Sequence, residues 1–163
     1  MKVLLAIDGS PCSDRAVKEI LRRPWPECST IKVLNAFELP LPTTPEGWVL
    51  PATYFDQLDQ AVQKQSQFIV DRAVETLRRK FTKTMTIEGQ FVPGSARSAI
   101  LEEAERWGAD LIVVGSHGYS TWERFLLGSV SQAIVSHAKC SVEIVRCSQA
   151  VPTSKEAVSA EGK

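Results

Sequence analysis

Five short runs dominated by apolar and β-branched residues recur along the chain, at 3–7, 31–37, 85–92, 111–114 and 142–145. Runs this short and continuous read as strands buried on both faces. The third alternates instead, with Met85, Ile87 and Phe91 on one side. Between the runs, apolar residues return every third or fourth position, the pattern of a helix with one buried stripe. Ser13 reads as the N-cap of a helix reaching about Arg23, with Ala16, Val17, Ile20 and Leu21 inward and Pro24 and Pro26 closing it. A long helix over 55–80 carries the stripe Phe55, Leu58, Val62, Ile69, Ala73 and Leu77. The turn Pro93-Gly94-Ser95 leads into a helix with Ile100, Ala104 and Trp107 inward, and Ser129 reads as the N-cap of a helix to about His137.

Strand and helix alternate throughout, which predicts an α/β fold: a doubly wound parallel sheet, helices on both faces, right-handed crossovers. Two stretches break the rhythm. Residues 38–54 hold Pro40, Pro42, Pro45 and Pro51 with Gly47 and Trp48, so no regular element is expected there. Long connections in compact domains tend to be functional or mobile. Residues 148–163 are polar and read as a disordered tail, which leaves 1–147 as the single domain.

Charge and cysteine content narrow the function classes. The 163 residues carry 19 basic and 19 acidic side chains, so no net field draws the protein to nucleic acid or to an anionic membrane. No apolar run approaches the roughly 20 residues that span a bilayer. The amino terminus enters the first strand after a single lysine, without the apolar region and cleavage site of a signal peptide, so a cytoplasmic location is expected. Cys12, Cys28, Cys140 and Cys147 form no Cys-x-x-Cys pair and read as free thiols. With His117 and His137 far from any cysteine cluster, no protein-held metal is expected.

The chemistry-bearing stretch is Gly115-Ser116-His117-Gly118, nine residues, then Gly128-Ser129. It follows the fourth strand and opens the last helix, where ligands bind in an open α/β sheet. Glycine there permits positive φ and lets an anion approach the backbone amides, while the helix start offers unpaired N–H groups and the positive end of its dipole. Taken singly, each glycine serves a tight turn equally well. Together, Gly115, Gly118, Gly128 and Ser129 fill every fixed position of Gly-x2-Gly-x9-Gly-Ser/Thr, which resembles the ATP-binding signature of the universal stress protein family. The lead-in Gly108-Ala109-Asp110-Leu111-Ile112-Val113-Val114 and the opening Val3-Leu4-Leu5-Ala6-Ile7-Asp8-Gly9-Ser10 resemble the same family.

The resemblance implies the strand order 3-2-1-4-5 of the adenine nucleotide α-hydrolase-like, Rossmann-like group, with strands 1 and 4 adjacent. It implies ATP, accompanied by Mg²⁺, bound between Ala6, Ile7 and Asp8 on one strand end and Val114, Gly115, His117 and Gly118 on the other. Gly128, Ser129, Val130 and Ser131 complete the phosphate side, and the backbone at Ala36 meets the adenine. Ala36 is smaller than the family's usual residue, so the base lacks an apolar contact that Trp48 is available to supply. Arg124 matches a basic residue common in the family, and Tyr119 replaces another. The fifth strand, 142–146, implies a homodimer, an expectation its unpaired apolar edge shares.

Other phosphate chemistries do not fit. A P-loop needs lysine after its last glycine, and Gly128 is followed by Ser129-Val130. A dinucleotide fingerprint needs Gly-x-Gly-x-x-Gly after the first strand, where Gly9-Ser10-Pro11 stands. A phospho-aspartate site needs further carboxylates at neighbouring strand ends, and the third strand closes on Val92-Pro93-Gly94. The expected function is therefore a nucleotide-binding regulatory module in the stress response with little or no turnover. A nucleotide-free dimeric interaction protein of the same fold is the competing class, and a nucleotidyl-transferase-like enzyme a more distant third.

Overall fold

A computed structural model describes residues 1–38, 52–81, 85–118 and 127–147. Residues 39–51 of the proline-rich connection, which include Trp48, and the expectations for Tyr119, Arg124 and the tail fall outside these residues, whereas 52–54, expected to be irregular, are helical. The elements run β1 (Lys2–Ala6), α1 (Pro11–Arg22), β2 (Thr30–Phe37), α2 (Ala52–Lys80), β3 (Thr86–Pro93), α3 (Ala96–Trp107), β4 (Leu111–Gly115), α4 (Ser129–His137) and β5 (Ser141–Val145). The five strands form one parallel sheet in the order β3-β2-β1-β4-β5, as the resemblance implies.

Side-chain alternation along each strand divides the interior into two layers. Val3 and Leu5 of β1, followed by Ile7, join Ile31 and Val33 of β2 beneath Ala16, Val17 and Ile20 of α1 and Val70, Val74 and Leu77 of α2. On the other face Leu4 and Ala6 join Leu34, Ile112 and Val114 beneath Ile100 and Ala104 of α3 and Ile134 of α4. The central strands are covered on both sides, which is why their sequences are continuous apolar runs.

Three local expectations are corrected. Helix α1 begins at Pro11 and is capped by Ser10, not Ser13; the Ser13 amide donates to Ser10 Oγ at 3.3 Å. Pro11 explains the shift, since its fixed φ and missing N–H suit the first helical position. Helix α4 is capped by Gly128, with Ser129 as its first residue. The stripe of α2 is buried only in its second half: Phe55 is 44% exposed, whereas Val70, Ala73, Val74 and Leu77 are buried.

One buried ionic cluster had no counterpart in the sequence reading. Lys32 of β2 and Glu103 of α3 are both buried, with Nζ donating to Oε1 at 2.8 Å. Arg106 also donates to Glu103, and the Lys32 ammonium lies 4.5 Å from the centre of the Trp107 ring. Burial alone would raise the Glu103 carboxyl, but the hydrogen bonds and charges of Lys32 and Arg106 outweigh it and hold the group below its usual range. A depressed carboxylate stabilises the fold above its unfolded pKa, and that stability is lost as pH falls through the folded value. Glu103→Gln is expected to cost roughly 3 kcal/mol at about pH 7, because buried Lys32 then keeps, among the described residues, only the exposed Glu88 carboxylate 3.7 Å away. Urea unfolding at about pH 7 and about pH 3 should show the gap between the two proteins closing in acid.

Candidate functional site

Strands β1 and β4 pair from Val3–Leu111 to Ala6–Val114. The connection after β1 leads into α1 on one face, and the connection after β4 leads into α4 on the other. The chain therefore parts above the carboxyl ends of these strands, the switch point where open α/β sheets bind ligands. A crevice of about 840 Å³ lies there. All twelve residues expected at the site line it, from Ala6, Ile7 and Asp8 through Ala36 to the residues of β4, its loop and the first turn of α4.

The motif glycines act through space rather than through unusual backbone angles. Among the described glycines positive φ occurs at Gly9, Gly94 and Gly108, and at none of Gly115, Gly118 and Gly128. A Cβ at Gly115 would stand 2.9 Å from both the carbonyl carbon and the Cβ of Cys12, so α1 packs directly on the end of β4. A Cβ at Gly118 would stand 2.7 Å from Oδ2 of Asp8. That carboxylate is oriented by the Ser10 amide, which donates to Oδ1 at 2.9 Å.

The two described segments that flank residues 119–126 are held together. Ser116 O accepts from the Gly128 amide at 2.8 Å and lies 2.9 Å from the Ser131 hydroxyl, and the Ser116 amide donates to Val145 O at 2.8 Å. Ser116 thus joins the two segments, which brings Gly115–Gly118 beside the start of α4. There, among the described residues, the helix leaves its first amides without a partner. Gly128 has no side chain to cap them, and the first helical bond runs from Gln132 N to Gly128 O. The contrast with α1 is direct. Its first turn is closed by Ser10, and the Ser13 hydroxyl accepts from the Gly9 amide at 3.0 Å. Ser129 and its neighbours therefore offer N–H donors and a hydroxyl to an anion, helped by the helix dipole.

Titratable groups at the crevice are few. His117 Nδ1 shares a hydrogen bond of 3.0 Å with Ser116 Oγ, and its buried Nε2 has no partner among the described residues. Among the described residues no three His, Cys, Asp or Glu side chains cluster as metal ligands. The side chains therefore fit an anion at the glycines; a cation accompanying it would find one carboxylate, Asp8, beside the loop. Behind the site, Cys12 is a free thiol and is buried as a small packing residue. Burial, with the hydrogen bond to Cys12 and its charge, pushes the Cys147 thiol up to about 11, so it stays protonated and unreactive near neutrality.

The sequence reading missed one wall. Gly94, Ser95, Ala96 and Arg97, together with Glu38, Leu34, Ser13 and Ile100, also line the crevice. The crossover from edge strand β3 to β4 carries the start of α3 over the end of β2, where Gly94 N donates to Phe37 O at 2.8 Å. The Pro93-Gly94-Ser95 turn was the available signal.

Comparison with known proteins agrees with this architecture. The model of the universal stress protein family matches residues 1–146. The universal stress protein YxiE of Bacillus subtilis is 32% identical over 148 residues, spanning 89% of this chain and 98% of that protein. A universal stress protein family protein from Arabidopsis thaliana, solved with AMP bound, superimposes with a TM-score of 0.63 at 20% identity, covering 90% of this chain and 91% of that one. A universal stress protein solved in complex with cAMP superimposes with a TM-score of 0.60 at 26% identity, covering 91% and 98%.

Proposed function

The chain belongs to the universal stress protein family, and from that membership and the geometry of the crevice we propose that it is a regulatory module binding ATP with Mg²⁺. The phosphates lie against Gly115, His117 and Gly118 and the first turn of α4, and the nucleoside runs across β1 towards Ala36. The observation that carries this reading is the uncapped start of α4 set beside a glycine whose missing Cβ leaves the loop open to an anion. The AMP and cAMP bound to two proteins of the same fold support an adenine nucleotide. Turnover is slow or absent, because Asp8 and Glu38 are the crevice's only carboxylates among the described residues, and Asp8 is already engaged by the Ser10 amide.

A second copy of the chain is the partner in this reading, joined through β5. Val142 and Ile144 lie on that edge strand and are only partly buried, which also favours the alternative of a nucleotide-free dimeric interaction protein. Among the described residues no helix is long and apolar enough to cross a membrane, which is compatible with the cytoplasmic location proposed for the module.

Mass spectrometry of the purified protein under native conditions tests ligand and assembly together. The expected result is a two-chain mass carrying an adenine nucleotide. A single-chain mass would remove the dimer, and a bare protein that also gives no heat with ATP would remove the nucleotide. In the same titration Ser129→Ala should weaken binding by about 0.5–3 kcal/mol, the span from an ordinary hydrogen bond to one with a fully charged phosphate.

A further inference from the structure

Two opposite charges stand at the far end of the crevice from the glycine loop. Glu38 follows β2, and Arg97 lies in the first turn of α3, immediately after the turn that bonds to Phe37. Both side chains line the crevice, and both residues are exposed. Neither forms an ion pair or hydrogen bond with the other or with any described residue. That is unlike Asp14, Glu19, Glu103 and Glu143, each of which holds an arginine. An acid and a base on the lining of one crevice, without a partner among the described residues, are both available to a ligand there.

The distance across the sheet suits a nucleoside. Adjacent strands lie about 4.8 Å apart, so β4 to β2 spans about 10 Å, the reach from a phosphate to its base. Ala36, the residue at that end, presents only a methyl group. A planar guanidinium supplies what is missing, since it stacks on the face of a heteroaromatic ring and attracts its π-electrons. A carboxylate accepts from an exocyclic amine and repels an oxo group at the same position.

We propose that Arg97 and Glu38 form a base clamp, with the guanidinium on the open face of the ring and the carboxylate on its exocyclic amine, which restricts the site to adenine. This deepens the nucleotide reading and rests on it. The clamp acts on the base, so its contribution is the same whatever the number of phosphates.

Titration calorimetry with AMP, ATP and ITP separates the possibilities, and because both residues are exposed the variants should fold. Arg97→Ala is expected to weaken AMP and ATP by the same factor, about 5–30-fold. Arg97→Trp should recover most of the loss by stacking. The wild type should prefer ATP to ITP, which has an oxo group in place of the amine, and Glu38→Gln should narrow that preference about tenfold, because an amide also donates to the oxo group. A loss in Arg97→Ala that grows from AMP to ATP would assign Arg97 to the phosphates and overturn the clamp. So would unchanged binding in Arg97→Ala, or an unchanged ATP to ITP ratio in Glu38→Gln. Wild-type protein that binds none of the three overturns the nucleotide reading itself, whereas wild-type binding abolished by Gly118→Arg but indifferent to Arg97 and Glu38 overturns the clamp alone.

Discussion

Gly118→Arg is expected to abolish nucleotide binding while leaving the fold intact. The residue is exposed, and the atom nearest an added Cβ is Oδ2 of Asp8, the free end of a rotatable side chain, at 2.7 Å; the next is Asp8 Cγ at 3.9 Å. Among the described residues only that carboxylate must move, so stability should change by about 0.5 kcal/mol or less, the usual range for a surface substitution. Binding is another matter. The new guanidinium would pair with Asp8 and fill the space beside the open amides of α4, where the phosphates are proposed to lie. Losing two hydrogen bonds to a charged ligand at about 1.5–3 kcal/mol each lowers affinity by more than about hundredfold. Calorimetric titration with ATP, paired with thermal unfolding, checks both halves. Wild-type affinity in the variant would put the phosphates elsewhere. Gly118→Ala, which needs only a small rotation of Asp8, should fall between the two.

The two scales of the structure were not equally legible in the sequence. Strands declared themselves because a central parallel strand is buried on both faces, and Val3–Ile7 or Leu111–Val114 leave no polar position to confuse with a helix. The glycine loop was legible for a similar reason: its spacing is dictated by one close approach at Gly115 and another at Gly118. Helix starts were misread. Ser10 and Ser13 both precede the apolar period of α1, and only Pro11 between them decides which one caps. Glycine conformation was misjudged too, since positive φ falls at Gly9, Gly94 and Gly108 instead of the motif. The ionic cluster of Lys32 and Glu103 was out of reach, because its partners are 71 residues apart and each alone looks like a surface charge. The β3–α3 wall was missed for a topological reason. Local pattern locates α3 in the sequence, but its overhang on the crevice depends on how the crossover lies over the end of β2.

Gly115→Val should be the more damaging change at the same loop, and for the opposite reason. Here an added Cβ meets backbone: the carbonyl carbon of Cys12 at 2.9 Å and its oxygen at 3.1 Å, besides the Cys12 Cβ at 2.9 Å. None of these atoms can rotate away. Helix α1 cannot retreat either, since Ala16, Val17 and Ile20 are buried against the sheet and Ser10 and Ser13 close its first turn. Relief has to come from displacing the end of β4, which carries Ser116 and with it the anchor of α4. Overpacking of this kind costs about 3 kcal/mol, a fall in Tm of roughly 6–12 °C for a domain of this size. Because the displaced segment carries the proposed phosphate site, ATP should give little of the thermal shift it gives the wild type. Truncating the neighbour would not rescue the variant: Cys12→Ala leaves the Cβ and both backbone atoms in place. Thermal unfolding of the single and double variants, with and without ATP, decides the matter. A Gly115→Val protein with wild-type Tm would mean that α1 and β4 do not touch at this glycine.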